Sequence, residues 1–345
     1  MKILMTVDPE IPVPPKSYGG IERIVEMLIQ QFLQKGHEVT LCANPASKVP
    51  CRLVGWSGGI SQNKLDVFKN TFQLTRLVLT NNFDLVHSFS RLAYMTALMP
   101  TSLPKIMSYQ REPTLSQVKK AVLLSKKNSI VFTGCSNYIS RQISTVAQAC
   151  TIYNCAPIKS YQLKEEVCED APLIFLGRIE PIKGTHIAVQ VALKTKRKLI
   201  IAGNIPAGYE TYFEEKIEPF LSGRIQYVGP VNDIQKNELL GKCLALLMPI
   251  TWNEPFGIVM AEAMACGTPV LGFNRGSVPE VVEVGRSGFI SSSEDEMVAQ
   301  VALCSGLDRA GIRRVAEERF SDTVISNAYL SLYSQMLDKK NGKDN

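Results

Sequence analysis

The chain has 345 residues, 45% of them apolar and 20% charged, with a net charge of +6; this balance fits two packed globular domains and excludes a disordered or fibrous protein. No apolar run approaches the roughly 20 residues that a membrane-spanning helix needs, and the opening apolar run meets Asp8 too early for a secretory core. Nine cysteines without a Cys-x-x-Cys pair signal neither a disulfide framework nor a zinc site, so they read as small buried groups in a reducing cytoplasm.

Residues 2–7 predict a first strand and residues 21–35 a helix, because Ile21, Ile24, Val25, Leu28, Ile29 and Phe32 recur at helical spacing and Gly36 can cap the end. A strand over 37–42, a helix over 64–80 and strands over 84–87, 105–108 and 130–135 follow, after which Ser136 caps a helix to about Val146. The periodicity lapses around Asn154-Cys155-Ala156-Pro157 and the charged stretch 164–170, which places a linker there. Strands over 173–176, 198–202, 225–228, 244–248 and 269–272 then alternate with helices over 185–194, 209–221, 234–241 and 256–266. Alternation of this kind implies βαβ units: two α/β domains, each a doubly wound parallel sheet, facing each other across a cleft. The domain bounds expected are 1–157 and 158–325, with a C-terminal helix in 326–345 crossing back to the first domain and ending in a polar tail.

Residues 1–157 carry 17 Lys and Arg against 8 Asp and Glu, whereas 158–345 carry 21 against 24. The excess on the first half reads either as a solvated basic face or as a surface for an anionic partner, a phospholipid surface or an acidic acceptor.

Three clusters stand at strand ends, where such sheets bind ligands. In Asn253-Glu254-Pro255-Phe256-Gly257-Ile258, Pro255 suits a first helical position, so a helix is expected to start just after Glu254. The N–H groups of Phe256, Gly257 and Ile258 would then lack intrahelical acceptors and could hold an anionic or hydroxylated ligand. Glu262, among Met260, Ala261, Ala263 and Met264, is a carboxylate in apolar company; it suits a ribose diol or, alternatively, pairs with an internal Lys or Arg. In Gly177-Arg178-Ile179-Glu180-Pro181-Ile182-Lys183-Gly184, the guanidinium of Arg178 and the ammonium of Lys183 could neutralise a diphosphate, or be solvated side chains. The pair Gly19-Gly20, after Tyr18, opens a helix and could present N–H groups to a donor phosphate, or form an ordinary turn.

Taken together, these segments resemble the family-4 retaining glycosyltransferases of the GT-B fold. Glu254 to Glu262 looks like that family's Glu-x7-Glu motif, Gly177-Arg178 to Lys183-Gly184 like its Gly-Arg…Lys-Gly motif, Gly19-Gly20 like its N-terminal glycine loop, and Val228-Gly229-Pro230-Val231 like its nucleobase segment. Similarity extends to Tyr153-Asn154 and to Gly276-Ser277-Val278-Pro279-Glu280. The resemblance implies two Rossmann-like domains, the first for the acceptor and the second for a nucleotide-sugar donor. Arg178 and Lys183 would hold the diphosphate, Glu262 the ribose, and Val228, Gly229 and Val231 the base. Glu254 and the amides of Phe256, Gly257 and Ile258 would hold the sugar. It further implies transfer with retention, a UDP-sugar before GDP- or ADP-sugars, no metal and no cofactor. The acceptor is left open among sugar, lipid-linked and small-molecule classes, as in surface polysaccharide, glycolipid or glycoside synthesis, with no nucleic-acid partner. Location is expected in the cytoplasm, with peripheral contact at the inner membrane face through the basic first domain. A nucleotide-sugar epimerase or hydrolase of the same fold, or a non-catalytic nucleotide-sugar-binding protein, are the alternatives.

This chain departs from the family in one respect: Gln110 stands where many members carry a histidine, and an amide cannot relay a proton as imidazole does. Either the acceptor chemistry differs, or Arg111, Glu112 or His87 takes that role; His87, expected at the cleft end of its strand, reads equally as a structural histidine satisfied in the interior. Arg275 reads as a surface or interdomain base.

Overall fold

A computed structural model of the chain describes residues 1–15, 19–340 and 342; Tyr18 lies outside the described residues, as does the polar tail from 341 on apart from Gly342. The chain divides into two compact units, the first formed by Met1–Cys155 with Asp322–Asn345, the second by Ala156–Ser321.

The first unit contains β1 (Lys2–Thr6), α1 (Gly20–Gln34), β2 (Glu38–Ala43), β3 (Arg52–Gly55), α2 (Lys64–Thr80), β4 (Leu85–Ser88), a 3-10 segment Leu92–Leu98, β5 (Lys105–Tyr109), α3 (Leu115–Leu124), β6 (Ile130–Gly134), α4 (Asn137–Ser144) and β7 (Ala149–Thr151). Its seven strands form one parallel sheet in the order β3-β2-β1-β4-β5-β6-β7. A parallel sheet covered on both faces needs strands that are apolar throughout, and Ile3, Leu4 and Met5 of β1 are wholly buried. Helix α1 buries Ile24, Val25, Leu28, Ile29 and Phe32, the stripe its periodicity predicts. Caps fix the helix starts: the Asn63 side chain accepts from the N–H groups of Leu65 and Asp66, and Ser136 Oγ from that of Ile139.

The second unit contains β8 (Leu173–Leu176), α5 (Thr185–Thr195), β9 (Leu199–Ala202), α6 (Glu210–Lys216), β10 (Ile225–Gly229), α7 (Asp233–Lys242), β11 (Ala245–Met248), α8 (Ile258–Ala265), β12 (Val270–Phe273), α9 (Val278–Val281), β13 (Gly288–Ser291), α10 (Glu294–Val301) and α11 (Arg309–Phe320). Six parallel strands run in the order β10-β9-β8-β11-β12-β13. Order therefore reverses between β8 and β11, and the crevice beyond their carboxyl ends is where doubly wound sheets take ligands. Arg309, only 7% exposed, secures the segments around α8 by donating to the carbonyl groups of Lys164, Gly241 and Cys243 and to the Thr268 hydroxyl.

The last helix, α12 (Asp322–Lys340), belongs to the first unit. Its Tyr333 packs on Phe32 with ring centroids 5.7 Å apart, and its Tyr329 and Tyr333 hydroxyls reach the sheet beneath. Among the described residues no helix is long and apolar enough to cross a membrane.

Candidate active site

In the second unit the segments following β8 and β11 meet at the reversal point. After β8 the chain passes Arg178 and buried Ile179 and Glu180, then makes a 3-10 turn over Pro181–Lys183. Gly184, at φ 74°, turns the chain into α5; a Cβ there would lie 2.0 Å from the Pro249 carbonyl oxygen, so only glycine permits this approach of the two segments. The Thr251 N–H donates to the Ile182 carbonyl at 2.9 Å and locks them together.

The result is a compact polar cluster. Lys183 Nζ lies 2.6 Å from Glu254 Oε2, which also accepts from Trp252 Nε1 at 3.1 Å, while the Lys183 ammonium sits 4.8 Å from the Trp252 ring centroid. Both charged side chains are largely covered, 17% and 12% exposed. Arg178 pairs with Glu180 at 2.8 Å, and the guanidinium side chain remains 35% exposed. The backbone of Glu254 is itself held: its carbonyl accepts from the Ser277 N–H, and the Phe256 carbonyl from the Ser277 hydroxyl, both at 2.9 Å.

Helix α8 starts later than the position of Pro255 suggests. Gly257 is the N-cap in the left-handed region, φ 70°, and the first helical residue is Ile258, so Phe256 precedes the helix rather than opening it. A Cβ at Gly257 would stand 2.9 Å from Met260 Cε and 3.2 Å from Glu254 Cγ. The Phe256 ring turns inward, 2% exposed, against Phe320 at 5.6 Å, which leaves its backbone as the part able to meet a ligand.

Glu262 is 3% exposed on α8, and the partner that such a carboxylate demands is Lys236 of α7, whose Nζ lies 2.5 Å from Oε1. Lys236 also contacts Asp233 at 3.1 Å and lies 5.6 Å from the Tyr161 ring centroid. Burial, with the Glu262 charge nearby, drives the Tyr161 hydroxyl far above its ordinary pKa. Of the two readings the sequence left open for Glu262, the internal pair is therefore present, through one of its two oxygens. Val228, 44% exposed, and Gly229, half-buried, end β10, with Val231 half-buried just beyond; the Gly229 carbonyl accepts from the Gly203 N–H at 2.9 Å. Arg275 is exposed.

In the first unit Gly19 caps α1 without a side-chain hydrogen bond, and Gly20 opens it with clear space around its Cα. Beside this helix end lie Glu22, 7% exposed, and Asp8, which follows β1 and accepts from the Arg91 N–H at 3.1 Å with Arg111 at 3.6 Å. Burial raises the pKa of both carboxyls, and for Glu22 the Asp8 and Glu10 charges add to it. Gln110, just past β5, keeps its amide nitrogen shielded from solvent with no hydrogen-bond partner among the described residues. Glu112 accepts from the Tyr138 hydroxyl.

His87 is not where the sequence placed it. Its strand runs on through Ser88, and the imidazole is wholly buried between the Tyr333 hydroxyl, 2.5 Å from Nδ1, and the Ser108 hydroxyl, 2.7 Å from Nε2. Ser108 continues the network to Thr133 at 2.6 Å and Tyr329 at 3.2 Å. Desolvation lowers the His87 pKa to about 3, so the ring stays neutral and touches only the interior.

The sequence matches the family described as "Glycosyltransferase Family 4" over residues 18–110, which take in β2 to β5, and the one described as "Glycosyl transferases group 1" over residues 164–304, which take in all six strands of the second sheet. The chain belongs to glycosyltransferase family 4. This glycosyltransferase is 24% identical over 383 residues to "Spore coat protein SA" of Bacillus subtilis, covering 97% of the chain and all of that protein. The solved structure of AviGT4, a glycosyltransferase involved in avilamycin A biosynthesis, superposes with a TM-score of 0.74 at 25% identity, covering 97% and 98% of the two chains. HepE of Anabaena, solved in complex with UDP and glucose, shares the fold with a TM-score of 0.73 at 20% identity, covering 97% of this chain and all of that one.

Several residues of the glycosyltransferase were not legible beforehand. Trp252 stands two residues before Glu254, a spacing that could have drawn notice in a chain with only two tryptophans. Lys236 and Glu180 gave no signal, since ion-pair partners distant in sequence are set by tertiary packing. Asp8 did carry one, being the first polar residue beyond a strand whose carboxyl end lines the reversal point of its sheet.

Proposed function

We propose that this glycosyltransferase takes a nucleotide-sugar donor, a UDP-sugar first among the candidates, and transfers the sugar with retention of its anomeric configuration. The observation that carries the reading is the Lys183–Glu254–Trp252 cluster at the β8/β11 reversal point, with Arg178 partly exposed beside it. Lys183 and Arg178 would neutralise the diphosphate, and Glu254 with the backbone of Phe256, Gly257 and Ile258 would hold sugar hydroxyls. Glu262, paired with Lys236, would accept from a ribose diol, while the end of β10 at Val228, Gly229 and Val231 would meet the base. The UDP and glucose bound to HepE support this choice of donor.

Retention follows if the acceptor hydroxyl attacks on the face the diphosphate leaves. The bond from the anomeric carbon to phosphate oxygen breaks, the bond to the acceptor oxygen forms on that side, and the acceptor proton ends on the phosphate. The protein then acts mainly by stabilising the leaving charge, without a metal. Gln110, an amide with no proton to relay, would bind rather than titrate. Gly19, Gly20 and the shielded Gln110 amide belong to the acceptor domain in this reading.

The test is incorporation of labelled sugar from UDP-, GDP- and ADP-sugars into sugar, lipid-linked and small-molecule acceptors, with product anomers assigned by NMR. Acceptor-dependent product of retained configuration is expected. Free sugar and nucleotide alone would mark a hydrolase, an epimerised donor an epimerase, and no thermal stabilisation by any of the three donors would overturn donor binding.

A further inference from the structure

Helix α2 packs one side inward, burying Asn70, Leu74 and Leu77, and keeps a second apolar stripe on the other. Leu65, Phe68, Phe72 and Leu79 are 71, 71, 63 and 75% exposed. At about 100° per residue these four fall within roughly 60° of arc, directly opposite the buried face. Lys64, Lys69 and Arg76 are exposed along the same helix.

Helices α2 and α3 both pack on the 3-10 segment Leu92–Leu98, so they share one side of the first unit. There α3 adds Leu123 and Leu124, 84% and 53% exposed, with Lys119, Lys120, Lys126 and Lys127 around them. Residues 64–80 and 115–127 thus hold seven cations against the single acid Asp66, a net +6 out of the +9 of residues 1–157. Beside Phe68 a groove of about 470 Å³ opens, lined by Lys64, Thr71, Arg91 and Thr96; Arg91 Nε is shielded there with no hydrogen-bond partner among the described residues.

A helix that only faces water has no use for four large apolar side chains in a row. Lysine is depleted at protein–protein interfaces, and a second copy seated on this face by two-fold symmetry would set +6 against +6. An apolar stripe among lysines matches a bilayer with anionic headgroups, where rings and leucines enter the acyl boundary and the ammonium groups remain at the phosphates. We propose that the α2–α3 face of the first unit docks on an anionic membrane surface, with α2 lying in the interfacial plane and a headgroup phosphate between Lys64 and Arg91. Docking of this kind goes beyond the donor-site reading and does not depend on it.

The experiment is sedimentation of the full-length protein with vesicles of phosphatidylglycerol and phosphatidylcholine, against phosphatidylcholine alone. The expected partition coefficient is at least about tenfold higher on the anionic vesicles, and falls as salt rises from about 0.1 M to about 0.5 M. The double variant F68S/F72S, altered only at exposed positions, should retain the wild-type melting temperature and lose about tenfold or more in partition. K119E/K120E/K126E/K127E should lose as much on anionic vesicles alone. Failure of the wild type to bind anionic vesicles would overturn the proposal, as would binding indifferent to Phe68 and Phe72. A wild-type dimer that F68S/F72S dissociates, without vesicle binding, would assign the face to a second copy instead. Neither readout involves a sugar donor, so both outcomes are separable from failure of the donor site.

Discussion

Through His87, the stability of the first unit is tied to pH. The ring is neutral in the folded chain, with a pKa lowered to about 3 by burial, and titrates near 6.5 once unfolded. Below about 6.5 the unfolded chain therefore binds a proton that the native state refuses, and stability falls as pH drops toward 3, by about 1.4 kcal/mol per unit. Between pH 7 and pH 5 the loss is about 2 kcal/mol, a sizeable part of a typical domain's total. His87→Gln removes the titration while leaving a side chain able to bond the Tyr333 and Ser108 hydroxyls. Urea unfolding of both proteins at pH 7 and pH 5 should show the variant less stable at pH 7 and the gap closing by about 2 kcal/mol at pH 5. Asp8, Glu22, His37 and His186 titrate in both proteins and cancel in the difference. A gap that stays constant between the two pH values would refute a buried neutral imidazole.

Four further outcomes are expected. Lys183→Ala should lower turnover by orders of magnitude with the fold intact, read by steady-state assay beside circular dichroism; unchanged turnover would remove Lys183 from the diphosphate site. Trp252→Phe deletes one hydrogen bond to the Glu254 carboxylate, worth about 1–2 kcal/mol, and should cut kcat/KM by roughly tenfold. Lys236→Ala leaves Glu262 buried without its ammonium and should cost about 3–5 kcal/mol in urea unfolding, partly recovered by K236M/E262Q. Chelation with EDTA should leave turnover unchanged; a loss restored by added Mg2+ would show that a metal takes part.

Long, strongly patterned elements were legible from sequence. Helix α2 was placed at 64–80 by periodicity and observed there, and the cap at Ser136 was found where expected. Segments whose spacing carries no clear period were missed: β3, β7 and α3 in the first unit, the last a ten-residue helix with no side-chain cap, and α9, β13, α10 and α11 beyond β12 in the second. The start of α8 was read from Pro255 because proline suits a first helical turn, but the left-handed Gly257 delays the helix by two residues beyond Phe256. Glu254 and Lys183 were identifiable because their types and spacing repeat a known motif, whereas their shared partner Trp252 depends on the turn that folds the two segments together. His87 was misplaced for a plainer reason. In a strand buried on both faces, the pattern of side chains does not tell which residue is last to emerge.

The placement of α12 in the first unit affects how the protein is made. Ser108, Thr133 and His87 are translated early, while the tyrosines that meet them come from the last twenty-odd residues of a chain extended at about 5–20 residues per second. For roughly ten to thirty seconds on the ribosome, Phe32 of α1 and a row of hydroxyls on the first sheet are without their final cover. Any product cut short within the second unit lacks α12 and carries that uncovered face permanently.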